Sequence, residues 1–342
     1  MRLKTVLWTA PVILILLLCI GITLTIGWRP IIGPRARPVT DRKFDSTPAR
    51  LEHGSYLVNS LYGCIQCHSE PDHNLPGWPA VVGREGAGRL FDKNPDLGTI
   101  YAPNITPDPE TGIGKWTDDE VARAIREGID NDGRALFPIM PYSNYKLMSD
   151  EDLASVVVYI RSLRPVKNSV PRSEINFPIS RLVLGIPEPI TEPIRNPQFA
   201  TPRDRGEYLV RLASCADCHT PVDRNGQPMA GLEFGGGMAI SEPGAKPVAS
   251  LNITPDVSSG IPYYDENTFI TTIRSGRIGA RQLNPVMPWG VYRNLTDDDL
   301  KAMYAYIHTL KPVEHHVDNV ATPTMCPICG GTHGLGDSNK KK

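Results

Sequence analysis

The sequence lacks an excess of either charge. Its 342 residues carry 36 Lys+Arg against 37 Asp+Glu, a formal net charge of −1. No global field therefore directs it to nucleic acid or to a polyanionic substrate. Spare cysteines are scarce too. Of seven, four fall in two short internal motifs, and the regions around those motifs hold no other. This excludes a disulfide framework there. No pairing of side-chain acid, base or nucleophile stands out along the chain. What is abundant is Gly (30) and Pro (33), which points to a loop-rich fold with few long elements.

The two motifs are Cys64-Ile65-Gln66-Cys67-His68 and Cys215-Ala216-Asp217-Cys218-His219. Cys-x-x-Cys-His is the attachment signature of c-type haem. The thiols add across the porphyrin vinyl groups, and the adjacent imidazole reaches the iron. Two copies predict two covalently bound haem c groups, held by Cys64, Cys67 and His68 and by Cys215, Cys218 and His219. A sixth iron ligand is then needed, and a thioether suits a high-potential electron-transfer site. A Met-Pro pair occurs after each motif, at Met140 and Met287. Proline after the methionine restricts the backbone of a loop that must hold one atom on iron. Met148, Met229 and Met238 have no matched partner and read as gap-filling residues.

The motifs sit within a duplication. Gly54-Ser55-Tyr56-Leu57-Val58 returns as Gly206-Glu207-Tyr208-Leu209-Val210. Asn104-Ile105-Thr106-Pro107-Asp108 returns as Asn252-Ile253-Thr254-Pro255-Asp256, and Tyr159-Ile160 near Pro165 returns as Tyr306-Ile307 near Pro312. Five blocks recur in the same order, which predicts one domain over residues 48–166 and another over 202–314. A proline-rich connector, 167–201, is expected to be extended. Each half predicts three helices: one opened by Thr47-Pro48 or Thr201-Pro202, a middle one opened by the capping box at Thr117 or by Asp265, and a last one opened by Ser149 or Thr296. The Asn-Ile-Thr-Pro-Asp blocks are turns by composition, or donors to haem propionates.

Residues 1–30 contain an apolar stretch from about Val6 to Trp28, long enough for the ~20 residues of a transmembrane helix. It lacks a small-residue cleavage site, so it is expected to be an uncleaved membrane anchor. The tail, 315–342, contains Cys326-Pro327-Ile328-Cys329-Gly330. Without a following histidine it is no third haem motif. With His333 it makes an incomplete candidate metal site, since structural zinc takes four ligands.

These motifs, together with Thr111-Gly112-Ile113-Gly114-Lys115-Trp116, resemble the class I cytochrome c family. More narrowly, they resemble the multi-haem cytochrome subunits of membrane-bound bacterial alcohol and gluconate dehydrogenases. Those subunits carry three haem motifs rather than two. The resemblance implies an all-α fold, here two tandem class I domains after a transmembrane helix. It also implies His/Met iron, and haem domains in the periplasm at the bacterial inner membrane. The function expected is electron transfer in a respiratory chain between a dehydrogenase or quinol-oxidising donor and an oxidase or soluble cytochrome. The chain is not expected to be a catalyst in itself. The alternatives are a di-haem peroxidase-type enzyme or a redox subunit of a larger respiratory complex.

Overall fold

The computed structural model describes residues 2–223, 226–240, 242–243, 248–279, 281–317, 324–325 and 332–333. The helix starts follow their caps. Thr47 Oγ1 accepts from the Arg50 amide, and Pro48 opens the helix Pro48–Tyr56, where its missing N–H costs nothing. Thr201 and Pro202 do the same for Pro202–Leu212. Thr117 and Glu120 complete a reciprocal capping box on Asp118–Glu127, which stops at Gly128 in the left-handed conformation. Asp265 caps its counterpart Glu266–Ser275, which stops at Gly276. Ser149 and Thr296 cap the closing helices Asp150–Ser162 and Asp297–Ile307.

In each half the opening helix crosses the closing helix at a glycine. A Cβ on Gly54 would collide with the carbonyl oxygen of Ser155, and one on Gly206 with that of Ala302. The close approach lets Val58, Leu153, Val156 and Val157 bury together in the first half, and Val210, Leu300 and Met303 in the second. One apolar cluster runs through both halves.

Two expectations fail. The fold is not all-α. Among the described residues, Arg89–Asn94 pairs antiparallel with Gly98–Ala102, and Glu174–Ile175 adds to the same sheet. Further two-stranded ladders join Ala239–Ile240 to Val248–Ala249 and Arg277–Ile278 to Arg281–Gln282. The physical cause is backbone satisfaction. The long glycine-rich loops between helices carry N–H and C=O groups that must be paired when packed, and short ladders pair them.

The transmembrane helix also fails. No helix among the described residues is long and apolar enough to cross a membrane. The helix Arg2–Leu24 contains Pro11, which removes a backbone donor from its interior. From Pro11 to Leu24 it rises about 21 Å, against a hydrocarbon core of about 30 Å. The basic segment after it packs on the first half: Arg37 binds Asp119 at 2.7 Å and Glu127 at 2.8 Å.

The connector is not extended throughout: it folds into helical turns at Ile179–Leu182 and Val183–Gly185, and it is tied down. Its strand pairs with Gly98 and Thr99, and the Ile194 carbonyl accepts from the Asp150 amide at 2.8 Å. The halves themselves meet through reciprocal contacts. The Tyr56 hydroxyl donates to the Asp299 carboxylate and accepts from the Thr296 amide. In return, the matched Tyr208 hydroxyl donates to the Leu147 carbonyl at 3.5 Å, and burial followed by the nearby Asp152 charge raises its pKa.

Candidate functional site

Each haem-attachment motif folds as one short helical turn, Cys64–Cys67 and Cys215–His219. Three residues apart on a helix, the two thiols of a motif share a face. The turn is set by a left-handed residue just before it, Gly63 (φ 61°) and Ser214 (φ 57°). The lead-in differs by one residue: Gly54 precedes Cys64 by ten positions, Gly206 precedes Cys215 by nine. The extra residue is absorbed as a π-helical turn, Leu57–Leu61, whose last bond runs from the Tyr62 amide to the Leu57 carbonyl at 2.9 Å. Sequence reasoning missed this turn, although the unequal spacing signals it.

The two imidazoles have the same setting. His68 Nδ1 lies 2.7 Å from the Pro103 carbonyl oxygen, and His219 Nδ1 lies 2.7 Å from that of Leu251. A carbonyl only accepts, so Nδ1 carries the proton and Nε2 is the free lone pair. Burial pushes both imidazoles below their ordinary pKa, against the opposing carbonyl bond, and Arg89 pushes His68 further the same way. Both are thereby neutral ligands at neutral pH.

As free thiols, Cys64 and Cys215 are pushed up to about 12 by burial, with the neighbouring cysteine adding to it. Cys67 and Cys218 are exposed, but protein crowds their remaining sides and raises them as well, Cys218 to about 11. Such thiols are held protonated and are poor nucleophiles on their own. Conversion to thioethers removes the ionisation altogether.

Met140 and Met287 occupy matched turns. The Met140 amide donates to Phe137 and its carbonyl accepts from Tyr142; the Met287 amide donates to Asn284 and its carbonyl accepts from Trp289. Both are half-buried against the same apolar cluster as Cys64, Ile65 and Cys215. Met148 is fully buried in the core, and Met229 is exposed. After each Met-Pro pair comes a four-residue helix, Tyr142–Tyr145 or Trp289–Tyr292. Its last tyrosine returns to the attachment turn: Tyr145 donates to the Tyr62 carbonyl at 3.0 Å and Tyr292 to the Ala213 carbonyl at 2.7 Å. The methionine turn and the attachment turn of each half are thus fixed to one another.

The residues present fit haem c. Two thiols on one face, an imidazole with Nε2 free and a thioether packed on the same apolar wall are the donor set that the group requires. The Asn-Ile-Thr-Pro-Asp blocks serve as turns. Asn104 Oδ1 accepts from the amide and hydroxyl of Thr106, and its Nδ2 donates to the Val166 carbonyl. Asn252 repeats this with Thr254 and Val313. Their side-chain amides are spent on tying the chain's return to the site.

Sequence reasoning also missed three charged or polar neighbours. Arg89, buried, donates from Nε to the Cys67 carbonyl at 3.2 Å and pairs with Glu242 of the other half. Asp217, inside the second motif, accepts from Asn144 Nδ2 at 2.9 Å, and the same amide donates to Ser214 Oγ at 3.0 Å. Crowding raises the Asp217 pKa, opposed by that bond from Asn144. The contacts that cross between the halves join residues 70 or more positions apart, so no local pattern announces them. Of the tail candidates, Cys326 and Cys329 lie outside the described residues. His333 falls in the short strand Thr332–His333, paired with Thr324–Met325. No cluster of metal-binding side chains occurs among the described residues.

The family model described as Cytochrome c matches residues 204–311. The cytochrome c subunit of alcohol dehydrogenase (quinone) from Gluconacetobacter polyoxogenes is 34% identical over 286 residues, 79% of this chain and 58% of its own length. The gluconate 2-dehydrogenase cytochrome c subunit of Pantoea cypripedii is 31% identical over 277 residues, 77% of this chain and 60% of its own. The chain therefore spans little more than half the length of such curated relatives. A protein named diheme cytochrome c-type from Cereibacter sphaeroides is 30% identical over 268 residues, 74% of this chain and 83% of its own. Likeness across both halves, on top of the paired thiols and carbonyl-bound imidazoles, leaves one conclusion: the chain belongs to the cytochrome c family, electron-transfer proteins that hold haem c covalently.

Proposed function

We propose that the chain is a di-haem electron relay working on the periplasmic side of a bacterial cell. It accepts electrons from a dehydrogenase or quinol-oxidising partner and delivers them to an oxidase or a soluble cytochrome. The observation that carries this reading is the repetition of one ligand geometry. In both halves a carbonyl sits 2.7 Å from the histidine Nδ1, and a Met-Pro turn is fixed to the attachment turn.

Haem c, when bound, supplies the one-electron ferric/ferrous couple. The protein's own residues do the rest. Cys64 and Cys67, and Cys215 and Cys218, would tether it. His68 and His219 would offer Nε2 to the iron, and the Pro103 and Leu251 carbonyls fix the tautomer and ring orientation. Met140 and Met287 would supply sulfur, a soft donor that favours the ferrous state. The buried apolar cluster on which Cys64, Met140, Cys215 and Met287 pack would keep water from the metal. No side chain is required to move a proton.

Purified holoprotein tests the reading. Intact mass and haem assay should give two haems per chain, and electron paramagnetic resonance should give two low-spin ferric irons. Met140→Ala and Met287→Ala should each keep the haem attached, open one sixth position and lower one midpoint potential. A high-spin iron in the wild-type protein would instead favour a peroxidase-type enzyme, and unchanged titrations in both variants would remove the methionines as ligands.

A further inference from the structure

The two halves are alike in fold but not in the charges placed against their haem-attachment turns. At the third position of the motif the first half has neutral Gln66 and the second has Asp217. Asn144, from the first half, holds the Asp217 carboxylate at 2.9 Å. The matched contact in the other direction is apolar: Val291 of the second half packs on Gly63. So one attachment turn carries a carboxylate held by an amide from across the interface, and the other carries none and receives a methyl group.

A second asymmetry has the same sign. The Gly88 amide donates to the His68 carbonyl, and the Gly236 amide donates to the His219 carbonyl, each at 2.7 Å. The next residue is Arg89 in the first half and Gly237 in the second. Arg89 is buried and donates directly to the Cys67 carbonyl. Its partner Glu242 is bonded to Nη1; both charges act on Cys67, Arg89 more strongly than Glu242, so the positive partner prevails at the haem turn. Gly237 brings no charge, and the ring of His315 packs against it.

Reduction removes one positive charge from the iron. A fixed negative charge beside the site opposes this and a fixed positive charge assists it, more strongly where water is excluded. We propose that the two sites are ranked by these charges, with the His219 site at the lower potential and the His68 site at the higher. Electrons therefore enter through the second half and leave through the first. One electron moves at each step. The external donor, a quinol or the reduced cofactor of a dehydrogenase, gives up its two electrons in two such steps and its protons to solvent, and in each step the second site goes from ferric to ferrous. The second site returns to ferric as the first becomes ferrous, and an oxidase or soluble cytochrome then oxidises the first. No bond or proton changes hands within the chain.

The inference rests on the di-haem reading, and the experiment separates the two. Haem stoichiometry is measured first: one haem per chain would overturn both. The holoprotein is then titrated spectroelectrochemically at about pH 8, where an ordinary imidazole carries no charge. Two separate midpoints are expected. Asp217→Asn should raise the lower midpoint and leave the upper in place. Gln66→Asp, which copies the second motif's charge into the first, should lower the upper midpoint and narrow the gap. Arg89→Gln should also lower the upper one; because it strips a buried partner from Glu242, the double variant with Glu242→Gln serves as its control for folding. Two haems with a single unsplit midpoint would overturn the ranking alone. So would an Asp217→Asn shift in the upper midpoint, a Gln66→Asp shift in the lower, or no shift in either.

Discussion

Replacing Gly206 with alanine sets two known effects against each other, and the sign of the result decides whether the helix crossing is as tight as it looks. Gly206 lies within the helix Pro202–Leu212. In an open helix the change from glycine to alanine stabilises by about 0.8–1 kcal/mol, since alanine loses less backbone freedom. Here the added Cβ would collide with the Ala302 carbonyl oxygen and sit 3.0 Å from the Tyr306 Cβ. The carbonyl is part of the closing helix Asp297–Ile307, hydrogen-bonded along its axis, and cannot rotate away. The helices must part by roughly an ångström or more, and even a gap of 0.5–1 Å forfeits a quarter to a half of each dispersion contact it opens. Leu300 and Val210, both fully buried, lie at that crossing. Overpacking of this kind costs about 1–3 kcal/mol, occasionally more. The steric cost thus exceeds the propensity gain, and a net loss of about 1–2 kcal/mol is expected. Urea unfolding of the holoprotein, followed by far-ultraviolet circular dichroism, reads the loss as a lower midpoint at unchanged slope. A variant more stable than the wild type would refute the reasoning, because it would mean that the backbone yields freely at the crossing.

Three further outcomes are expected. Tyr56→Phe removes a hydrogen bond to the Asp299 carboxylate, whose residue is 2% exposed, and should cost about 1.5–3 kcal/mol; a double-mutant cycle with Asp299→Asn that shows no coupling would rule out the contact. His53 has its pKa raised above the ordinary 6.5, chiefly by its hydrogen bond to Asp152. Its contribution is full below the unfolded-state value and fades as pH rises through the folded one. With 45% of the side chain exposed, the effect is about 0.2–1 kcal/mol, and His53→Gln should flatten the fall in stability as pH rises above the ordinary imidazole value of about 6.5; an equal slope in the variant would count against the pair. Thr117→Ala deletes the cap that accepts from the Glu120 amide at 3.2 Å and should lower the unfolding free energy by about 1 kcal/mol, while Thr117→Ser should restore most of it.

What the chain declares locally was legible in it. The attachment motifs, the Thr-Pro and capping-box starts, the crossing glycines and the Met-Pro turns each occupy a few adjacent residues, and each has one physical use. The strands were not legible. Gly98 (φ 109°) and its neighbours read as loop, and the ladder from Arg89 to Ala102 forms only because the packed loop must pair its backbone. The N-terminal stretch misled by composition alone, since its apolar count hides Pro11. The π-turn was half-legible. Its cause, one extra residue between Gly54 and Cys64, is in the sequence, but the fold could have absorbed that residue in a loop.

The contacts between the halves show why matched sequences need not make matched sites. Tyr56 donates to Asp299 while the matched Tyr208 donates to the Leu147 carbonyl across the same interface, so each half sends the same tyrosine into the other where they lock together. One helical turn after each Met-Pro pair, the correspondence breaks: Asn144 grips the second attachment turn, and Val291 rests on the first. The short helix Tyr142–Tyr145 is held from two sides, by its own half through the Tyr145 bond to Tyr62 and by the other half through Asn144. A displacement of Met140 therefore strains a bond to Asp217, inside the other motif. Held by such a clamp, the Met140 turn cannot shift without loading the second attachment turn. Two domains joined by a flexible tether would lack that constraint, and the interface between the halves for this reason couples the two attachment turns mechanically.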